Sequence, residues 1–169
     1  TPLAILASFG IKERVKAFMM LFLFLETGML GVFLAMDLLL FFVFWELMAL
    51  GSTLVIWSAG TASAYRASMR YLMIHLLGGV ILFAGITGHI VQTGSVAFTP
   101  MKLDDASSGL ILIGFLINAA ATPISAWLPD AYPEASWSGT VFLSAFTTKT
   151  AVYVLSRGFP GTELLIWVG

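Results

Sequence analysis

The sequence predicts an all-α, polytopic transmembrane helix bundle of about five spans plus the start of a sixth, with one span discontinuous. Three observations carry that expectation. Hydrophobic residues make up 59% of the chain and charged residues 10%, against about a quarter charged in an ordinary soluble domain. The apolar residues gather into runs of about 20, the length a helix needs to cross the hydrocarbon core. Most of the charges and prolines fall in the connections between these runs. A chain with so little polar surface must turn its apolar excess toward lipid.

The first span is expected at 17–36, with Glu26 inside it and Lys12, Arg14 and Lys16 just before it. The second, at 38–58, follows almost directly after Asp37 as a tight helical hairpin and contains Glu46. The third, at 67–91, begins at Arg66 and Arg70 and contains His75. The longest connection, 92–107, carries Gly94, Pro100, Asp104 and Asp105. The fourth span, 108–127, contains Asn118 and also Pro123, which removes one backbone hydrogen bond and kinks or breaks the helix. In lipid, a broken helix survives only where protein or a watery cavity satisfies its carbonyls. Pro129–Asp130 and Pro133–Glu134 then end the helix and start a turn. The fifth span, 138–156, contains Lys149, and a sixth begins near Thr162. The chain lacks an initiator Met and stops within an apolar run at 164–168, so residues 1–169 read as a fragment of a longer transmembrane domain.

Positive charge sets orientation. With alternating spans, Lys12, Arg14 and Lys16 fall on the same side as Arg66 and Arg70, opposite the acidic loop. The start of the chain is therefore expected on the cytoplasmic side of the inner membrane. Arg157 is the one dissenting charge. A net charge of −1 gives no electrostatic reason to expect a nucleic-acid partner. Without cysteine there is no thiolate metal site or iron–sulfur cluster. His75 and His89 are too far apart to read as a metal-binding pair. The residues thus suggest no metal and no cofactor held by this chain.

The ionisable groups inside the spans are the candidate functional residues. Placing a charge at the bilayer centre costs about 2.5–3.5 kcal/mol on insertion scales, so such a group must face the bundle interior or water. Glu46 closes a long apolar run and is too deep to reach either interface. Its bland reading is a protonated carboxyl bonded to a neighbouring helix. Lys149 is equally central, flanked by Thr147, Thr148 and Thr150, with Tyr153 one turn on; its bland reading is a structural ion pair. Glu26 reads as structural or peripheral rather than catalytic. His75, with Gly78 and Gly79 one turn on, is either a proton relay or a core histidine. Asn118, Thr122 and Ser125 fall at i, i+4 and i+7, a spacing that makes one polar stripe on an apolar helix. Such a stripe serves either a water file or bonding between helices. A row of groups at mid-depth on adjacent helices reads as a proton or ion path.

Residues 31–46 (GVFLAMDLLLFFVFWE) resemble the antiporter-like subunits of respiratory complex I. So do residues 126–135 (AWLPDAYPEA), followed by 148–153 (TKTAVY). The second run is similar to the D subunit of Mrp-type multisubunit cation/proton antiporters. It is similar also to chain M (subunit 4) of NADH–quinone oxidoreductase and to membrane-bound hydrogenase relatives. The resemblance implies a membrane subunit that moves protons, or exchanges them with sodium, beside other membrane subunits, any redox chemistry belonging to those partners. It implies a half-channel in which Glu46 is the mid-membrane glutamate and Lys149 the lysine after the motif Trp127, Pro129 and Asp130. Pro123 would mark the discontinuous helix. The family's second lysine falls nine residues before the motif tryptophan, where this chain has Asn118, and a family histidine falls at Ser125. Asparagine cannot titrate. The resemblance therefore leaves two rivals to antiporter-like transport: a respiratory subunit of the same fold, and a structural subunit without transport of its own.

Overall fold

The computed structural model describes Leu6, Phe9 and residues 15–168, and its elements are helical. Lys12 and Arg14 lie outside the described residues. In chain order the helices are α1 Val15–Leu34, α2 Leu38–Trp57, α3 Ala62–Thr93, α4 Ala106–Asn118, α5 Trp127–Ala131, α6 Trp137–Gly158 and α7 Leu164–Val168, with a 3-10 turn at Ile124–Ala126 before α5. Helices α1, α2 and α3 are long and apolar enough to cross a membrane. The 32 residues of α3 rise about 48 Å, well beyond a hydrocarbon core about 30 Å thick. Helix α6 has the length, but Thr147, Thr148, Lys149 and Thr150 leave it more polar.

Local chemistry sets the boundaries. Asp37 caps α2 by accepting from the Leu40 amide at 2.8 Å, and Thr61 caps α3 by accepting from Ala64 at 3.0 Å. Helix α3 ends at Gly94, whose φ of 68° is a left-handed cap that glycine adopts without penalty. Asp105 and Ser108 form a reciprocal capping box at the start of α4. Ser136 caps α6 through the Gly139 amide at 3.1 Å.

The expected fourth span is the one that departs from a plain helix. Helix α4 stops at Asn118, and Ala120 takes a φ of 55°, a left-handed conformation that costs a non-glycine residue about 1–2 kcal/mol. Pro123 follows a cis peptide bond with Thr122. The chain resumes as the 3-10 turn and then α5, so the expected discontinuity is present.

In lipid, helix association depends on close packing rather than on the hydrophobic effect. Helix α1 packs on α2, and α3 lies between α2 and α4. A Cβ at Gly85 would lie 2.7 Å from the Ile111 backbone nitrogen and 2.8 Å from the Ser107 carbonyl, so α3 and α4 touch backbone to backbone. Aromatic rings fill the centre. Phe41 meets Phe98 and Phe115 edge-on at 4.9 and 5.6 Å, and Phe22 stacks on Phe142 of α6 at 4.3 Å.

One end of the bundle is stitched together by backbone hydrogen bonds. Leu38 donates to Val96 at 2.7 Å, Phe98 to Met36 at 2.8 Å and Met101 to Gly158 at 2.7 Å. These bonds join the α1–α2 turn, the long connection and the end of α6. Arg157 completes the join. Its guanidinium donates to the Ala35 carbonyl at 2.7 Å and lies 4.4 Å over the Phe98 ring. The charge that dissents from the orientation rule is thus spent on the carbonyls left open where α1 ends.

Candidate functional site

The opposite end of the bundle contains the helix break, and the motif residues hold it in place. Trp127 is buried, and its indole Nε1 donates to the Ile117 carbonyl at 2.9 Å. That carbonyl belongs to the last turn of α4, where it also accepts a longer bond from the Ala120 amide at 3.3 Å. Asp130 accepts two bonds from Arg70 of α3, both at 2.7 Å, a forked geometry peculiar to arginine. The Arg70 guanidinium beside it holds the Asp130 carboxyl below the usual carboxylate range. Tyr132 donates its hydroxyl to the Leu143 carbonyl at 3.1 Å, and its own carbonyl accepts from Thr140 at 2.9 Å, tying the loop to α6. Pro129 stands exposed between these anchors.

Next to the break lies a set of polar atoms buried without a protein partner: Glu46 Oε1, Tyr71 Oη, His75 Nε2 and Asn118 Oδ1. They come from α2, α3 and α4. Tyr71, His75 and Gly79 share one face of α3 at i, i+4 and i+8. The Glu46 carboxyl packs on Gly79, where a Cβ would collide with its Oε1. The His75 ring stacks on Tyr71 at 3.8 Å and meets Trp127 edge-on at 4.7 Å. Its Nδ1 is 2.9 Å from the Tyr71 carbonyl. The Asn118 amide approaches the ring from α4 without a hydrogen bond at Oδ1. The Tyr71 hydroxyl lies beside Ser52 and Thr147, whose own hydroxyls are 2.9 Å apart across α2 and α6. A polar seam therefore runs from Glu46 through α3 to α6. Buried polar atoms need hydrogen-bond partners, and water is the usual one where protein supplies none.

The structure brings Glu46, His75 and Asn118 to this seam but separates Lys149 from it. Lys149 follows Thr147 by two residues, about 200° around the helix, and so lies on the far face of α6. It is exposed, and its ammonium donates to the Ser144 carbonyl on its own helix at 2.8 Å. It lines an open cleft of about 800 Å³ with Pro133, Trp137, Thr140 and Ser144. Among the described residues, Glu46 and Lys149 form no ion pair.

The expected polar stripe of Asn118, Thr122 and Ser125 does not form. Its spacing presumed a continuous helix, and α4 ends at its first member. Asn118 is buried, Thr122 is exposed and Ser125 is half-buried. Ser52, Tyr71 and Thr147 were not singled out as seam residues from sequence alone. The i, i+4 pairing of Tyr71 with His75 was the available signal; the Ser52–Thr147 contact spans 95 residues and had none. Among the described residues no three His, Cys, Asp or Glu gather as metal ligands.

Comparison with known proteins agrees with this architecture. The family model described as NADH:quinone oxidoreductase/Mrp antiporter, transmembrane, matches residues 35–167. NAD(P)H-quinone oxidoreductase chain 4 of the Chlorokybus atmophyticus chloroplast is 34% identical over 166 residues, covering 93% of this chain and 32% of the relative. The chain thus spans about a third of the length of that relative. A chain in the structure of membrane-bound sulfane sulfur reductase, an archaeal respiratory membrane complex, superposes with a TM-score of 0.86 at 29% identity, over 98% of this chain and 38% of that one. A chain of the Mrp complex from Dietzia sp. DQ12-45-1b gives a TM-score of 0.76 at 31% identity, over 88% of this chain and 30% of that one. On the match over residues 35–167, the chain belongs to the transmembrane family shared by NADH:quinone oxidoreductase and Mrp antiporter subunits.

Proposed function

We propose that this chain is part of a multi-pass membrane subunit that moves protons, or exchanges protons with sodium, within a larger complex. The observation that carries the reading is the polar seam. A carboxylic acid, an imidazole, an amide and three hydroxyls come together from α2, α3, α4 and α6, several with buried atoms that no protein group satisfies. Polar groups at membrane depth are costly and mark ion paths. In this reading Glu46 takes up and releases the proton. Lys149, on the far face of α6, exchanges charge with groups beyond the described residues through the cleft it lines. Charging one group alters the proton affinity of the next, because charges interact strongly where the dielectric is low.

The partners are other membrane subunits and the lipid bilayer. Any redox step belongs to those subunits, since nothing in this chain's sequence suggests a cofactor of its own. The similarity to chain 4 of a quinone oxidoreductase supports a place in a respiratory electron-transfer complex, and the similarity to the Mrp complex supports cation/proton exchange. The reading also places the chain in an inner (cytoplasmic) membrane. Lys16, Arg66 and Arg70 would face the cytoplasm, as would the chain start.

The test is proton flux in vesicles carrying the assembled complex. Glu46→Gln is expected to lower flux by about a hundredfold or more, the low end of what a positioned proton-transferring group contributes, and Lys149→Ala to lower it similarly. Flux that depends on neither residue sinks the proposal. A second reading has one specific observation behind it. Asn118 stands where the resemblance expects a titratable lysine, which favours a structural subunit that no longer conducts.

A further inference from the structure

His75 is buried, 3% exposed, and its two ring nitrogens have different surroundings. Nδ1 faces the Tyr71 carbonyl at 2.9 Å. A carbonyl oxygen only accepts, so Nδ1 carries a proton and donates. In the neutral ring Nε2 is then a bare acceptor, and it has no protein partner. The Asn118 side chain, 2% exposed, approaches the same ring, and its Oδ1 is also an unpartnered acceptor. Two acceptors cannot bond each other. They bond directly only when Nε2 gains a proton. One turn along the same face of α3, a rise of about 6 Å, Glu46 Oε1 lies over Gly79 without a partner. Water is the partner that both unpaired atoms lack.

We propose that His75 is the proton carrier of this path, its Nε2 protonated from Glu46 through water over Gly79 and the resulting N–H held by Asn118 Oδ1. The inference rests on the proton-path reading above. In the step, the Glu46 O–H bond breaks, an intervening water accepts that proton and gives up another, and the Nε2–H bond forms. A carboxylate and an imidazolium remain. The proton leaves from the same nitrogen, because Nδ1 stays committed to the Tyr71 carbonyl. The polar and titratable groups facing the ring are Glu46 and, by way of Tyr71, Ser52 from α2, Tyr71 from α3, Asn118 from α4, the Trp127 indole from α5 and, again through Tyr71, Tyr132 just after α5 and Thr147 from α6. Lys149 is turned away. No fixed cation faces the ring among the described residues. The residue that lost its titratable side chain thus becomes the acceptor that holds the cationic ring, and titration passes to the neighbouring helix.

The experiment uses the assembled complex in vesicles, with proton flux driven by a potassium diffusion potential and read by an internal pH dye. His75→Asn keeps an amide N–H within reach of the Tyr71 carbonyl but cannot carry a proton. It is expected to lower flux by about a hundredfold or more and to remove an inflection from the flux-versus-pH curve. Asn118→Leu removes the acceptor and is expected to lower flux less severely. A second measurement needs no variant. The exchange rate of the His75 ring C2 hydrogen with heavy water, read by mass spectrometry on the intact complex, should follow a sigmoid in pH; a flat rate overturns the proposal. If Glu46→Gln abolishes flux while His75→Asn leaves flux and its pH dependence unchanged, His75 is not the carrier and the path reading survives. If neither variant changes flux, both fall.

Discussion

Trp127 donates its indole N–H to the carbonyl of Ile117 at 2.9 Å, so a side chain from beyond the helix break closes the end of the helix before it. The break is therefore a satisfied structure rather than a frayed one, as backbone at membrane depth must be. Trp127→Phe keeps the apolar bulk and deletes the donor. The carbonyl keeps the longer bond from the Ala120 amide at 3.3 Å, so losing the indole bond costs about 0.5–1.5 kcal/mol. The expected result is a lower unfolding midpoint in detergent, and an unchanged midpoint would show that this bond does not secure the break.

Gly79 and Gly85 sit on the same helix and answer different questions. A Cβ at Gly85 meets backbone atoms of α4 at 2.7 and 2.8 Å, which cannot yield without moving the helix. Gly85→Ala is expected to destabilise the protein by about 1–3 kcal/mol, the usual cost of overpacking. A Cβ at Gly79 meets the mobile tip of Glu46 instead. Gly79→Ala should leave the unfolding midpoint nearly in place and cut proton flux by about tenfold or more, the scale on which misplaced transfer groups act. Equal effects of the two variants on stability and flux would contradict the separation.

The Arg70–Asp130 pair predicts a pH signature. Asp130 has its carboxyl held below the ordinary range by the Arg70 guanidinium, so its folded value lies under its unfolded value. The stability it contributes is complete above about pH 4, the ordinary carboxylate value, and is lost as pH falls through the lower folded value. The difference in unfolding midpoint between wild type and Asp130→Asn should be constant at neutral pH and shrink below about pH 4. Both partners are largely exposed, at 48% and 41%, so added salt should shrink the difference too. A gap that widens on acidification would reverse the assignment.

Arg157→Gln tests the stitched end. The variant loses a charge-assisted bond to the Ala35 carbonyl and the ring contact with Phe98. A cost of about 1.5–3 kcal/mol is expected for the bond, with only partial recovery in Arg157→Lys, which lacks the planar fork. Proteolysis of the 95–105 connection should quicken in step; full recovery by lysine would show that charge alone matters.

Much of this architecture was legible because apolar run length is a direct physical constraint in lipid. The expected spans 17–36, 38–58 and 138–156 differ from α1, α2 and α6 by at most two residues at either end. The third, expected at 67–91, begins five residues earlier at Ala62, because Thr61 supplies a cap that an apolar count does not register. Pro123 marked the broken helix, but proline reports that a helix fails, not where. The backbone leaves α-helical geometry after Asn118, and that displacement dissolved the stripe through Thr122 and Ser125. Glu46, His75 and Asn118 were legible as polar residues in apolar surroundings. Their meeting was not, since it depends on how α3 sits between α2 and α4. Lys149 shows the same gap in the other direction: its depth was readable and its facing was not.

The bonds joining Leu38 to Val96, Phe98 to Met36 and Met101 to Gly158 give the bundle a mechanical asymmetry. One rim is a hoop of main-chain bonds closed by the Arg157 side chain, which resists shear and twist because no segment in it moves without dragging two others. The opposite rim has no such hoop among the described residues; it is held by an indole, a surface ion pair and a few hydroxyls. Motion that accompanies a transport cycle would therefore pivot about the hooped rim and open at the other. The compliance of the molecule is located at the break in α4, beside the groups that would handle the proton.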